Sequence, residues 1–475
     1  TSGGSDASTT FSGVISGTNG NIIKAGTGTL TLSGANTYTG TTTINAGDLT
    51  VSGSLHDSTA VTIASGADYN VNASDTVASI EGAGNIVIAS SQTLTAGDGN
   101  DKTLSGVISG AGNYIKAGSG TQTLSASNTY TGTTQVSAGT LTVSGSGRLS
   151  DSTAVTVDSG AVYNVAVSDT VASIAGAGSI TLGSNTLTSG GSDASTTFSG
   201  VISGTNGNII KAGTGTLTLT GNNSYTGSTT ISAGLLKIIR DDPTSYLAAT
   251  SGFTGPGNLT IESSGDDFTA DIVTGTHVQL AGTALGNLII GKTGNTRQID
   301  LSSDITTTGT QTYNGPVRLV GGDRTVSTTN SNVIFASTVN SDGTQRALTV
   351  TNGTGDTTFS GAIGGSAPVK SLTITSDQLT AGAITLNGAL TATLGGSSSI
   401  TGVIANGAST ANLVKAGSGT LTLSASNTYT GTTQVSAGTL TVSGSGRLSD
   451  STAVTVDSGA VYNVAVSDTV ASIAG

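Results

Sequence analysis

Gly26-Thr-Gly-Thr-Leu-Thr-Leu-Ser-Gly-Ala-Asn-Thr-Tyr-Thr-Gly-Thr-Thr-Thr-Ile-Asn-Ala-Gly-Asp-Leu-Thr-Val51 is the stretch that decides the fold. Leu30 and Leu32 alternate with Thr29 and Thr31, and Leu49 and Val51 flank Thr50. That is the period of two of a strand with one buried face. Gly, Asn, Asp and Ser close each short run, as turns require. Further along, Val61 and Ile63 flank Thr62 in the same way, and no window shows the helical period. The sequence therefore predicts short strands of three to five residues and essentially no helix.

The same phrases return through the chain. Thr1 to Leu32 recurs letter for letter as Thr188 to Leu219, and Lys116 to Gly176 returns as Lys415 to Gly475 with one change, Gln122 to Leu421. Lys24, Lys116 and Lys211 mark a block of 92 to 95 residues, and Lys415 belongs to the last copy. Repetition of this kind builds quasi-one-dimensional stacks in which each unit touches only its neighbours. Sandwiches and propellers also use many short strands. The unbroken recurrence and the absence of a closed-ring copy number favour a β-solenoid. At roughly 20 residues per coil and about 4.8 Å between strands, about 24 coils would make a rod on the order of 110 Å long.

From 240 to 410 the phrases change, and Pro243, Pro256, Pro316 and Pro368 all fall there. Alternation persists in Asn258-Leu-Thr-Ile, Val278-Gln-Leu, Gln298-Ile-Asp-Leu, Ala347-Leu-Thr-Val and Ser371-Leu-Thr-Ile. The expected organisation is a block region over 1–239, divergent coils over 240–410 with a protruding loop between Arg240 and Pro256, and a partial further block over 411–475. A separate domain in the middle is the alternative. Thr1 and Gly475 both fall inside repeats, so the sequence reads as a segment of a longer protein.

Composition narrows the function. Of 475 residues 72 are Gly, only 9% are charged, and Cys is absent. A disulfide framework, Cys-ligated zinc and thiol chemistry are thereby excluded. The formal charge of −12, from 15 basic and 27 acidic residues with no basic cluster, argues against nucleic acid or an anionic membrane as partner. No apolar run is long enough to cross a bilayer as a helix, so no membrane insertion by this segment is expected.

The Gly26–Val51 phrase returns at Gly118 to Val143, Gly213 to Ile238 and Gly417 to Val442. It resembles the autotransporter-associated β-strand repeat of type V secreted bacterial passengers. Gln311-Thr-Tyr-Asn-Gly-Pro-Val and Gly355-Asp-Thr-Thr-Phe-Ser-Gly-Ala-Ile-Gly-Gly are similar to repeats of haemagglutinin-like surface proteins. The resemblance implies an all-β, right-handed parallel β-helix, exported through an outer membrane and displayed on the cell surface or released. Such passengers typically lack cysteine, as this chain does. The implied role is a structural or adhesive rod, acting as spacer or in cell adhesion and self-association. Its partners would be other rods or a host, cell-surface or glycan ligand.

Motifs that carry chemistry elsewhere are weak here. Gly286-Asn-Leu-Ile-Ile-Gly-Lys292-Thr293 satisfies the phosphate-loop pattern, but Leu288, Ile289 and Ile290 form a strand run and no helix follows. Asp241-Asp242 and Asp266-Asp267 suggest a polysaccharide-cleaving β-helix, yet neighbours in a strand face opposite ways. His56 and His277 each stand alone and read as turn residues. Asp98-Gly-Asn-Asp101 has the composition of a calcium loop without the nonapeptide repeat of calcium-bound β-rolls or the EF-hand glutamate. Two tyrosine series, Tyr38, Tyr130, Tyr225 and Tyr429, and Tyr69, Tyr163 and Tyr462, could stack on sugars; the plainer reading is that they fill coil corners. Outward Thr columns could order ice, but the phrases vary too much for one array. No catalytic, cofactor-binding or metal-ligating residue is assigned, and no cofactor is expected. A polysaccharide-acting enzyme or a carbohydrate- or ice-binding solenoid is the alternative function.

Overall fold

The structure is a computed structural model and describes residues 1–242, 252–280 and 285–475. Among them every paired strand is parallel to its neighbour and none of the segments is helical. The strands are short, as the turn spacing predicts, and the alternation points their apolar residues inward. In Thr29–Leu32 the two leucines are buried and the two threonines half-buried. Gly47–Val51 repeats that pattern with Leu49 and Val51 inside.

Each strand bonds to one a coil earlier and one a coil later, which satisfies its amides along the stack. Leu30 lies beside Leu49, Leu49 beside Tyr69, Tyr69 beside Ile86 and Ile86 beside Ile108. The interior is thus a set of columns in which like stacks on like. Leu49, Val51, Tyr69, Val71, Ile86 and Ile88 all have 0% exposure. Burying an aliphatic side chain of this size contributes about 1.5–3 kcal/mol. No single core exists to lose, because each coil supplies its own share.

The described residues divide into two compact units. The first takes in Thr1–Gly234. One face of it is a six-stranded stack from Thr9–Phe11 to Ile108–Gly110, and another is a ten-stranded stack from Ile22–Lys24 to Val201–Ser203. A third face begins at Asp75–Val77, where two coils of three strands, ending at Ile108–Gly110, interrupt the coils of two. The second unit takes in the described residues from Leu235 onward. One of its faces is a nine-stranded stack from Ile305–Thr307 to Ser472–Ala474. A shorter face runs through Ile272–Val273, Ile299–Leu301, Val317–Leu319 and Val339–Ser341. Isolated bridges from Ile363 to Val339 and to Ile384 carry that face onward.

The divergent coils therefore keep the same parallel stacking. The expected strands at Asn258, Gln298, Ala347 and Ser371 appear as Asn258–Glu262, Ile299–Leu301, Leu348–Thr351 and Leu372–Ser376. Val278-Gln-Leu is a correction: Val278 and Leu280 make only isolated bridges. The tight turn before them is the cause, with Gly275 at φ +79° and its amide donating to the Val278 carbonyl. Of the loop expected between Arg240 and Pro256, residues 243–251 lie outside the described residues.

Candidate functional site

The residues that recur most strictly turn inward. Lys24, Lys116, Lys211 and Lys415 are 1% exposed or less. Lys116 stands between Ala96 and Val136 and Lys415 between Ala392 and Val435, whereas Lys24 and Lys211 have a serine, Ser2 and Ser189, on one side. Each ammonium donates to three backbone carbonyls at 2.5–3.3 Å. For Lys24 the acceptors are Ala25 and Gly26 of its own corner and Ala46 of the next coil. Three donors meet three acceptors, so the buried charge is hydrogen-bonded throughout. Gly26 must be glycine: its φ is +70°, and a Cβ there would lie 1.8 Å from the Gly3 carbonyl oxygen. Burial pushes Lys24 below its ordinary value, against Asp48 and Asp6, which raise it. Lys415 has no such carboxylate in opposition and is pushed down to about 8.

Asn36, Asn128 and Asn427 join three coils each. Asn128 Oδ1 accepts from the Ile108 amide of the coil before, and its Nδ2 donates to Ala126 and to Arg148 of the coil after. Asn36 and Asn427 repeat the arrangement. Asn223 accepts from Ile202 in the same way.

Tyr38, Tyr130, Tyr225 and Tyr429 are at most 1% exposed, and their hydroxyls bond Thr42, Thr134, Thr229 and Thr433. Tyr69 and Tyr163 are fully buried and donate to the buried carboxylates of Asp75 and Asp169, while half-buried Tyr462 donates to Asp468. Asp75 also accepts from the Leu55 amide. Its burial pushes the carboxyl up to about 6, against the hydrogen bonds that pull it down. All of these tyrosines except half-buried Tyr462 thus fill the coil interior and offer no platform for a sugar ring.

The phosphate-loop match is a strand and a corner. Leu288–Ile290 is a strand with Leu288 and Ile290 buried, and the Lys292 ammonium donates to the Ser264 and Gly265 carbonyls at 3.0 Å. Among the described residues no helix N-terminus faces it. The acidic pairs do not converge. Asp241 accepts from the Ser264 amide and hydroxyl, and Asp267 from the Thr296 side chain and the Thr296 and Arg297 amides. The bond from the Ser264 amide holds Asp241 below the usual carboxylate range, and the Thr296 hydroxyl does the same for Asp267. Asp98 accepts from Asn100 within its own turn, whereas Asp101 accepts from Thr121 of the next coil. Among the described residues no group of three or more His, Asp or Glu could hold a metal. His56 bonds Ser58 in a turn, and His277 accepts from the Val273 amide.

Outward Thr columns are broken. Thr31 and Thr50 are followed by Asn70 and Val87. The divergent coils instead carry ion pairs that sequence reading missed. Arg318 meets Asp300 through Nε and Nη2 at 2.8 and 2.6 Å, Arg346 meets Asp342 at 3.2 Å, and Lys370 meets Asp323 at 3.1 Å. These partners stand 18 and 47 residues apart for Asp300–Arg318 and Asp323–Lys370, so only the coil register brings them together.

The recurring polar residues of this parallel solenoid act as joints between its coils. Residues 22–51, 115–143, 209–238 and 413–442 match the passenger-associated-transport-repeat family. Over 348 residues the chain is 34% identical to the adhesin BmaC autotransporter of Brucella suis biovar 1 (strain 1330), which covers 67% of this chain. The chain spans 10% of that relative's length. No solved structure matches it. Four stretches of the chain are thus similar to passenger-associated transport repeats, and two thirds of it is similar to part of an autotransporter adhesin.

Proposed function

We propose that this chain is a length of surface-displayed passenger stalk in an adhesin, with its blocks serving as spacer and its recognition confined to the divergent coils. The observation that carries this reading is the direction of the conserved-spacing side chains within the blocks: the lysines, asparagines and tyrosines all bond inside or between coils. A block that uses its distinctive groups in its own joints has none left for a ligand. The divergent coils differ in that their phrases change from coil to coil and concentrate charge at irregular positions. Arg240, Lys292, Arg297, Arg318, Arg324, Arg346 and Lys370 lie there, nearly half of the chain's 15 basic residues. The relative's name supports an adhesive role. Display at an outer membrane and the absence of a catalytic role are part of the same reading.

The test is binding of bead-coupled full chain to epithelial monolayers. Replacing Arg346 and Lys370 by alanine, with Ser337 by tryptophan, should abolish adhesion above background. Replacing outward Thr31, Thr50 and Thr156 by alanine should leave it intact. Loss of adhesion in the second set alone would overturn the assignment.

A further inference from the structure

One corner of the divergent coils is built as a groove. Three successive coils turn there, through 291–298, 314–316 and 336–338, between the strands Leu288–Ile290 and Ile299–Leu301, Gln311–Tyr313 and Val317–Leu319, and Val333–Phe335 and Val339–Ser341. The first corner is longer than the other two and forms an overhang beside a half-open cleft of about 370 Å³. Small-molecule sites begin at about 300 Å³. The lining includes Thr293 and Asn295 in the overhang, Asn314 and Pro316 in the middle corner, and Ala336 and Ser337 beyond.

The overhang is fixed from the preceding coil by the two sequence motifs that had no other use. Lys292 ties it to the Ser264 and Gly265 carbonyls, and Asp267 accepts from the Thr296 and Arg297 amides at 2.8 and 3.0 Å. Asn295 is buried and donates to the Arg297 carbonyl at 2.9 Å. Behind the middle and far corners the Tyr313 and Phe335 rings stack with centroids 5.1 Å apart. The groove is therefore preformed. A Cβ added at Gly294 would meet nothing within 4 Å, so the approach over the turn is open.

Several of its polar groups are left open. The Thr293 and Ser337 hydroxyls and the Asn314 Oδ1 oxygen have no partner among the described residues, while Asn314 Nδ2 is fixed to the Gly291 carbonyl at 3.0 Å. No charged side chain lines the cavity. Hydroxyls and an amide oxygen beside Pro316 and Ala336 match a ring that carries hydroxyls on its rim and C–H groups on its face. We propose that this groove binds one ring of a neutral saccharide. An anionic sugar would find no cation in the lining and a chain of net charge −12 around it. A peptide would find the adjacent strands already paired on both sides.

This proposal rests on placing recognition in the divergent coils, and its test separates the two. The full chain is titrated with the methyl glycosides of glucose, galactose, mannose and N-acetylglucosamine by saturation-transfer NMR. At least one should bind saturably at millimolar concentration. Ser337→Trp, which fills the cavity, should weaken it by about tenfold or more, and Thr293→Ala by about three- to tenfold through one lost hydrogen bond. Hydrogen exchange over 311–341 checks that each variant keeps its coils, and Thr293→Ala decides if the tryptophan disturbs them. No saturable binding of any of the four glycosides, or binding unmoved by both substitutions, would overturn the groove. Absence of glycoside binding together with adhesion lost in Arg346→Ala and Lys370→Ala would overturn the groove alone; adhesion unaffected by both would overturn the wider reading.

Discussion

At the scale of the residue, burial decides what each recurring side chain contributes. Tyr114 and Tyr130 are both 0% exposed, but only Tyr130 has a partner for its hydroxyl, Thr134; the Tyr114 hydroxyl has none among the described residues. An unpaired buried hydroxyl costs about 1–3 kcal/mol, while a paired one contributes about 1 kcal/mol net. Tyr114→Phe should therefore stabilise its coils by about 1 kcal/mol and Tyr130→Phe destabilise them by a similar amount, read as opposite shifts in urea midpoint. Equal signs would contradict the assignment. Asp75 gives a pH signature. Its folded value of about 6 lies above the roughly 3.9 of an unfolded chain. The folded state thus holds the proton more tightly, and the added stability is complete below about pH 4 and lost as pH rises through 6. The coils around Tyr69 should be more stable at pH 4 than at pH 7 by about 2–3 kcal/mol. Asp75→Asn, which keeps an acceptor, should flatten that slope in urea titrations across the range.

At the scale of the element, the joints between coils explain what the sequence disclosed and what it did not. Asn128 satisfies one amide and two carbonyls from three consecutive coils. Asn128→Ala leaves those groups short of partners and should cost about 2–4 kcal/mol locally. Asn427 occupies the same phrase with the same bonds, so Asn427→Ala should cost the same within error. Proteolysis rates at the two sites provide the comparison. The strands themselves were legible because alternation such as Leu30-Thr31-Leu32 is local. Burial of the tyrosines was legible too, from their place beside a turn. The lysine was legible only as a marker of the period. Its role depends on three carbonyls turned inward by a left-handed glycine and by the next coil, a geometry that no spacing reveals. The groove was hidden for a related reason. Lys292-Thr293 and Asp267 belong to motifs with other associations, and only the register of coils more than twenty residues apart joins them.

At the scale of the whole molecule, stability is the sum of many similar contributions. Parallel coils bond to their two neighbours, so a defect should spread a coil or two and stop. Asparagine, lysine and tyrosine joints recur in the blocks of each compact unit, so each is expected to keep its order when a coil in the other is broken. This differs from a globular domain, in which one buried charge unfolds everything. It also suits a spacer, since length can change by whole blocks without redesign of a core. The most direct measurement is hydrogen exchange, peptide by peptide, on the full chain carrying Leu141→Asp. Leu141 has 0% exposure and lies between Gln122 and Tyr163 in adjacent coils. Protection should be lost over 121–165 while Leu372–Ser376 and Thr420–Leu423 exchange as in the unaltered chain. Uniform loss of protection in every peptide would contradict the account.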